Sequence, residues 1–154
     1  MSRAEPASPK PSAPPAMQGE SQVRVRYCEC DPMGVAHHAA YPVWLEIART
    51  ELLRSCGVSY RELEAAGVFL VVARLELSYR RPARYDDELS IHCALTGGSA
   101  VKLTHEYTIT RKGANDPPQG ETIATASSVL ACVNREGRVQ PLPDWLTHSK
   151  RATE

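Results

Sequence analysis

A single segment, Pro42 to Cys56, carries apolar residues at three- and four-residue steps: Trp44, Leu45, Ala48, Leu52 and Cys56. That spacing lines one face of an α-helix. Pro42 suits a first helical position and Gly57 the residue just past a C-terminus. Val43, Ile47 and Leu53 add apolar residues beside the stripe, so the polar side is narrow and the helix is mostly covered by protein. The rest of the chain has strand period. Val23, Val25 and Tyr27 alternate with Arg24 and Arg26 in a first strand over 21–28. Val71 to Tyr79, Leu89 to Leu95 and Val101 to Ile109 alternate likewise. Glu121 to Val133 is a fifth strand, rich in Ala, Thr and Ser, which would let a helix lie close against the sheet. Gly97-Gly98 reads as a hairpin turn, Gly113 to Gly120 as a loop, Ser59 to Gly67 as a helical connector and Leu142 to Leu146 as a short helix. One long helix among five strands implies an α+β fold, a five-stranded antiparallel sheet wrapped around one central helix.

The organisation is that of one domain. Residues 1–20, rich in Pro, Ser and Ala, read as a disordered tail, 21–147 as the folded unit and 148–154 as a flexible C-terminus. The 154 residues carry 18 basic and 18 acidic side chains, a balance that gives no lead towards nucleic acid or an anionic membrane. No apolar run approaches the roughly 18 residues of a membrane span. Five scattered cysteines suggest reduced thiols and a cytoplasmic protein. Cys28-x-Cys30 ahead of His37-His38 lacks the spacing of common zinc sites, so no metal is expected, and both cysteines read as small core-facing residues of the strand.

The chemistry concentrates just before the helix. In Asp31-Pro32-Met33-Gly34, Pro32 fixes one backbone angle and Gly34 permits an unusual one, so a tight turn presents a carboxylate. The first N–H groups of the following helix lack internal partners and carry partial positive charge. A carboxylate and free amides converging on one spot suit attack of water on an acyl carbonyl.

The run Asp31-Pro-Met-Gly34-Val-x-x-His38-x-x-Tyr41 into Trp44-Leu-Glu46-x-Ala-Arg49-Thr-Glu51, with Tyr79-x-x-Pro82-Ala-x-Tyr85-Asp86-Asp87-x-Leu89 later, resembles the hotdog-fold acyl-CoA thioesterases of the 4-hydroxybenzoyl-CoA thioesterase family. The resemblance spans about Val23 to Trp145. It implies hydrolysis of an acyl-CoA thioester, Asp31 as nucleophile or general base, and the His38 backbone amide polarising the carbonyl. It further implies a site between subunits of a homodimer or homotetramer, with coenzyme A as part of the substrate and not a retained cofactor. Glu46 is the candidate for a second polar group positioning water. Gly34, Tyr41, Arg81, Arg84 and Lys102 are the candidate substrate contacts, the three cations for phosphates. The chain departs from the family pattern in having Glu29 where a further Asp is common and Ala40 where an Asn caps the helix.

Each of these residues has a plainer reading. Asp31 could hydrogen-bond only its own turn, Glu46 could pair with Arg49, and the arginines could pair with Asp86 and Asp87. His37 reads as a solvated neighbour, and His92 and His105 as hydrogen-bonded strand residues. Two other functions compete: a hotdog enoyl-thioester hydratase or dehydratase, and a non-catalytic acyl-CoA-binding protein. The hydratase motifs place Pro and Gly after the His or Asn-Pro before it, and neither surrounds His38. No Gly-x-Ser-x-Gly or phosphate-cradling loop occurs.

Overall fold

The structure is a computed structural model that describes residues 9–112 and 120–148. In chain order it contains β1 (Gln18–Arg24), a 3₁₀ turn (Tyr27–Glu29), α1 (Ala40–Arg54), α2 (Tyr60–Ala65), β2 (Phe69–Tyr79), β3 (Glu88–Gly98), β4 (Lys102–Arg111), β5 (Glu121–Val133) and α3 (Asp144–His148). The strands form one five-stranded sheet in the order β1-β3-β4-β5-β2, with every neighbouring pair antiparallel. This is the expected α+β arrangement.

Alternation decides which face of the sheet is buried. Leu89, Ile91, Cys93 and Leu95 of β3 and Leu103, His105, Tyr107 and Ile109 of β4 point inward. α1 lays Tyr41, Trp44, Leu45, Ala48 and Leu52 on them. A fully buried side chain of this size contributes about 1.5–3 kcal/mol by leaving water, so Trp44 and Leu45 alone hold the helix firmly. α1 comes nearest to β1 and β3. Of the small residues of β5, Ala124 joins and Ala126 packs against the same core cluster as the buried face of α1, and Ser128 shares a 2.8 Å hydrogen bond with the Tyr107 hydroxyl inside the sheet.

Three boundaries differ from expectation. β1 starts at Gln18, inside the expected tail, and stops at Arg24. Gln18 to Glu20 join β3 through backbone pairing, which needs no apolar pattern, and the Leu95 N–H donates to Met17 O at 2.7 Å. Further upstream, the Ser12 N–H and Ala13 N–H donate to Cys56 O at 2.9 and 3.3 Å, so this segment crosses the C-terminal end of α1. Gly97 and Gly98 lie within β3, and the reversal falls on Ser99 to Val101, closed by the Ser99 N–H on Lys102 O. Residues 1–8 of the expected tail, 113–119 of the expected loop and 149–154 of the expected flexible C-terminus lie outside the described residues.

Candidate active site

After β1 the chain leaves the sheet, with the Val25 N–H on Asp87 O and the Asp86 N–H on Val25 O, both at 3.0 Å. The 3₁₀ turn then swings Glu29 inward, where it is buried. Its carboxylate accepts the Arg26 N–H and the Arg26 guanidinium, each at 2.8 Å, and the Trp44 indole N–H at 3.0 Å. Burial pushes the Glu29 carboxyl upward, but these donors outweigh it and hold the group below its ordinary value. Glu29 thus ties the turn to the middle of α1. The strand expected through Cys28 is absent because this pull ends it; Cys28 is exposed instead of core-facing, whereas Cys30 is half-buried and packs against the core as expected.

Beyond Glu29 the chain folds into a narrow hairpin. The His37 N–H donates to Glu29 O at 2.7 Å, the Asp31 N–H to Val35 O at 2.9 Å, and Cys30 bridges Ala36. Gly34, at φ +76°, closes the tip by donating its N–H to Asp31 O at 2.9 Å; a residue with a Cβ is disfavoured there. The hairpin is clamped from the side by the Ala36 N–H on Ala83 O at 2.8 Å. The clamp itself is fixed, because the Asp87 carboxylate accepts the Arg84 N–H and the Arg111 guanidinium, both at 2.8 Å. Asp31 therefore sits half-buried on a stiff support. Its Oδ1 accepts the Met33 N–H at 2.9 Å, while Oδ2 takes no hydrogen bond among the described residues.

The hairpin runs directly into α1, which begins at Ala40, so Pro42 is the third helical residue and not the first. The cap comes from His37: its Nδ1 accepts the Ala39 N–H at 3.2 Å and its carbonyl accepts the Ala40 N–H at 2.9 Å. His37 is exposed, as a solvated neighbour would be, but it satisfies two of the amides at the helix start while the N-cap residue Ala39 supplies no side-chain cap of its own. A trans peptide points its C=O and N–H in opposite directions. Since the His37 carbonyl points into the first helical turn, the His38 N–H of the same peptide points away from it, and it takes no acceptor among the described residues. The next peptide is held by Tyr79, whose hydroxyl donates to His38 O at 3.3 Å. The His38 ring is exposed and lies against that of His37, at 4.0 Å between centroids.

The other expected residues separate into two groups. Tyr41 is buried beneath the site, its ring edge-on to Tyr79 at 4.9 Å and tilted on Trp44 at 4.7 Å. Arg81, 3.6 Å from Glu121, and the exposed Arg84 lie on the loop that clamps the hairpin. Glu46 faces outward from the middle of α1, its side chain 65% exposed and 3.3 Å from Arg49. Lys102 starts β4, nine residues from Arg111 at the end beside the clamp, a separation of about 30 Å. One chain thus gathers Asp31, Gly34, His38 and Tyr41, with Arg81 and Arg84 alongside. Glu29, His37 and Tyr79 also build the site; Tyr79 opens the Pro82–Asp87 motif, and Glu29 takes the place of a second acid.

A helix packed on a five-stranded antiparallel sheet, with a carboxylate turn delivered to its first turn, defines the hotdog class. The chain belongs to the thioesterase-like superfamily, whose family model matches residues 25–149. It is 32% identical over 139 residues to a candidate acyl-CoA thioesterase of Bacillus subtilis, YneP, spanning 86% of this chain and 96% of that protein. It is 43% identical over 81 residues to the acyl-CoA thioester hydrolase YbgC of Escherichia coli, covering 53% of this chain and 60% of the relative. Among solved structures, a 4-hydroxybenzoyl-CoA thioesterase complexed with 4-hydroxybenzoyl-CoA shares the fold at a TM-score of 0.75 and 20% identity, over 86% of this chain and 98% of that one.

Proposed function

We propose that the protein hydrolyses an acyl-CoA thioester to a free acid and coenzyme A. The observation that carries this reading is a carboxylate with one oxygen locked in its turn and the other unspent, at the start of a helix whose His38 N–H is also unspent. The His38 N–H donates to the thioester carbonyl as charge develops on its oxygen. Asp31 either takes a proton from the water that attacks the carbonyl carbon or adds to that carbon itself, water then cleaving the anhydride. In both versions the C–S bond breaks and the coenzyme A thiolate leaves and is protonated. The names of the Bacillus and Escherichia relatives support coenzyme A as the carrier. Arg81 and Arg84, on the clamping loop, are the phosphate contacts of this proposal. Incubation with benzoyl-, phenylacetyl-, short- and long-chain acyl-CoAs should release free thiol with no change in enoyl absorbance. Binding without thiol release would favour the acyl-CoA-binding reading, and an enoyl signal the hydratase.

The site is completed by a second copy. In a single chain the Asp31 turn and the His38 ring face solvent, where an oxyanion donor is weak. The two sheet edges differ: β1 offers Glu20, Gln22 and Arg24, whereas β2 exposes Val71, Val72, Leu75 and Tyr79 along 11 residues. A long apolar edge strand seeks a partner. Pairing of two β2 strands joins the sheets into a homodimer and covers Tyr79, hence the site. Lys102 reaches such a site only from the partner. A Val71→Lys, Leu75→Lys double variant should sediment as a monomer and lose turnover; a fully active monomer would remove the partner from the site.

A further inference from the structure

A second polar cluster lies in the core, away from the Asp31 turn. Between the second half of α1 and strands β3 and β4 is a cavity of about 30 Å³, room for one or two water molecules. Leu52, Leu95, Leu103 and Leu146 form apolar walls, and Ala16 of the segment that crosses α1 lies at its edge. Arg49, His105 and Tyr60 supply its polar lining. Arg49 is 9% and His105 6% exposed, and among the described residues neither Arg49 Nε nor His105 Nδ1 has a hydrogen-bond partner. Two buried nitrogens left unpaired beside one cavity are costly unless something there satisfies them.

The charges around the cavity specify what that is. Arg49 is ionised at any physiological pH. The carboxylate paired with it, Glu46, is solvent-exposed and meets the terminal Nη2 at 3.3 Å, leaving Nε to the interior. The other groups that face Arg49 stay uncharged. Burial pushes Cys93 and Tyr107 up to about 12, raises Tyr60, and takes His105 down to about 4, further lowered by Arg49 itself. The cluster therefore presents one positive charge and a set of donors: the Arg49 Nε–H, the Tyr60 hydroxyl, and His105 Nδ1–H in one neutral tautomer. Donors and positive charge without a buried counterion select an anion over a cation, and the volume selects a small one.

We propose that this cavity binds a small monovalent anion, a halide or a carboxylate of formate or acetate size, between Arg49 Nε and His105 Nδ1. The site is separate from the hydrolytic reading and stands or falls without it. Its ligand binds the folded chain alone, so it stabilises by mass action.

The test is thermal unfolding of the full chain as sodium gluconate, too large for the cavity, is replaced by sodium chloride, bromide, formate or acetate at constant ionic strength. A saturable rise in Tm is expected, about 5 °C at a hundredfold excess over Kd, and lost in Arg49→Met. The four salts distinguish halide from carboxylate as occupant. Should Arg49→Met fail to fold, bromide-soaked crystals of the wild-type chain decide, with an anomalous peak expected at hydrogen-bonding distance from Arg49 Nε. A Tm unmoved by all four anions, an equal rise in a folded Arg49→Met, or density for ordered water alone would overturn the proposal.

Discussion

The two halves of α1 handle buried charge in opposite ways. Near the first turns, Glu29 meets Trp44 and Arg26, and every donor aimed at its carboxylate is spent on holding the Asp31 hairpin in place. In the second half, Arg49 is as deeply buried, but its Nε and the facing His105 Nδ1 are left over. A satisfied buried charge makes a rigid support, and rigidity is what a catalytic carboxylate beside an amide requires. An unsatisfied one makes a demand for a ligand.

The contrast can be broken first at Glu29. Glu29→Ala returns the exposed Arg26 guanidinium to water but strands the buried Trp44 indole N–H, and about 1–3 kcal/mol of stability should go, measured by urea unfolding followed by tryptophan fluorescence. A loss below about 1 kcal/mol would make the Glu29 network incidental. Acid titration separates the halves next. His105 has a folded value of about 4 against 6.5 unfolded, so the unfolded chain binds the extra proton between them. Stability should therefore fall as pH drops from 6.5 to 4, by roughly 3 kcal/mol in total, and His105→Asn should flatten that slope. Glu29 is lowered as well, but because its charged form is held by donors and not because its charged form is excluded; its contribution is complete above its ordinary value of 4.5 and is lost as pH falls from there through its lower folded value. Glu29→Gln should change only this lower limb. The smallest effect is that of Tyr79→Phe, which removes the hydroxyl on His38 O. About 1 kcal/mol of stability and a several-fold fall in kcat are expected, while an unchanged kcat would detach Tyr79 from the amide.

Much of this was legible in the residues, for identifiable reasons. The inward residues of β3 and β4 and the stripe of α1 face a core and follow its period, so pattern and burial agree. The turn at Asp31 was readable because Pro32 and Gly34 leave the backbone few options. Two features were hidden. Val25 and Tyr27 continue the alternation of Val23, yet Tyr27 is 81% exposed, because the pull of Glu29 on Trp44, 15 residues away, ends the strand early. Likewise the start of α1 was masked by Pro42, since His37 supplies a cap that no short-range pattern announces. A polar contact spanning 15 residues decided the first and a local one, between His37 and Ala39, the second. The orphaned nitrogens of Arg49 and His105 had no signature at all: one sits on a helix and the other on a strand 56 positions later.

The central claim is that a carboxylate fixed on the hairpin acts on a thioester held by the His38 amide. Free-thiol release from acyl-CoA by Asp31→Asn, compared with wild type at equal folding and equal oligomeric state, tests it most directly. A fall in kcat of about 10² to 10⁴ is the result the geometry predicts. Turnover within threefold of wild type would contradict it.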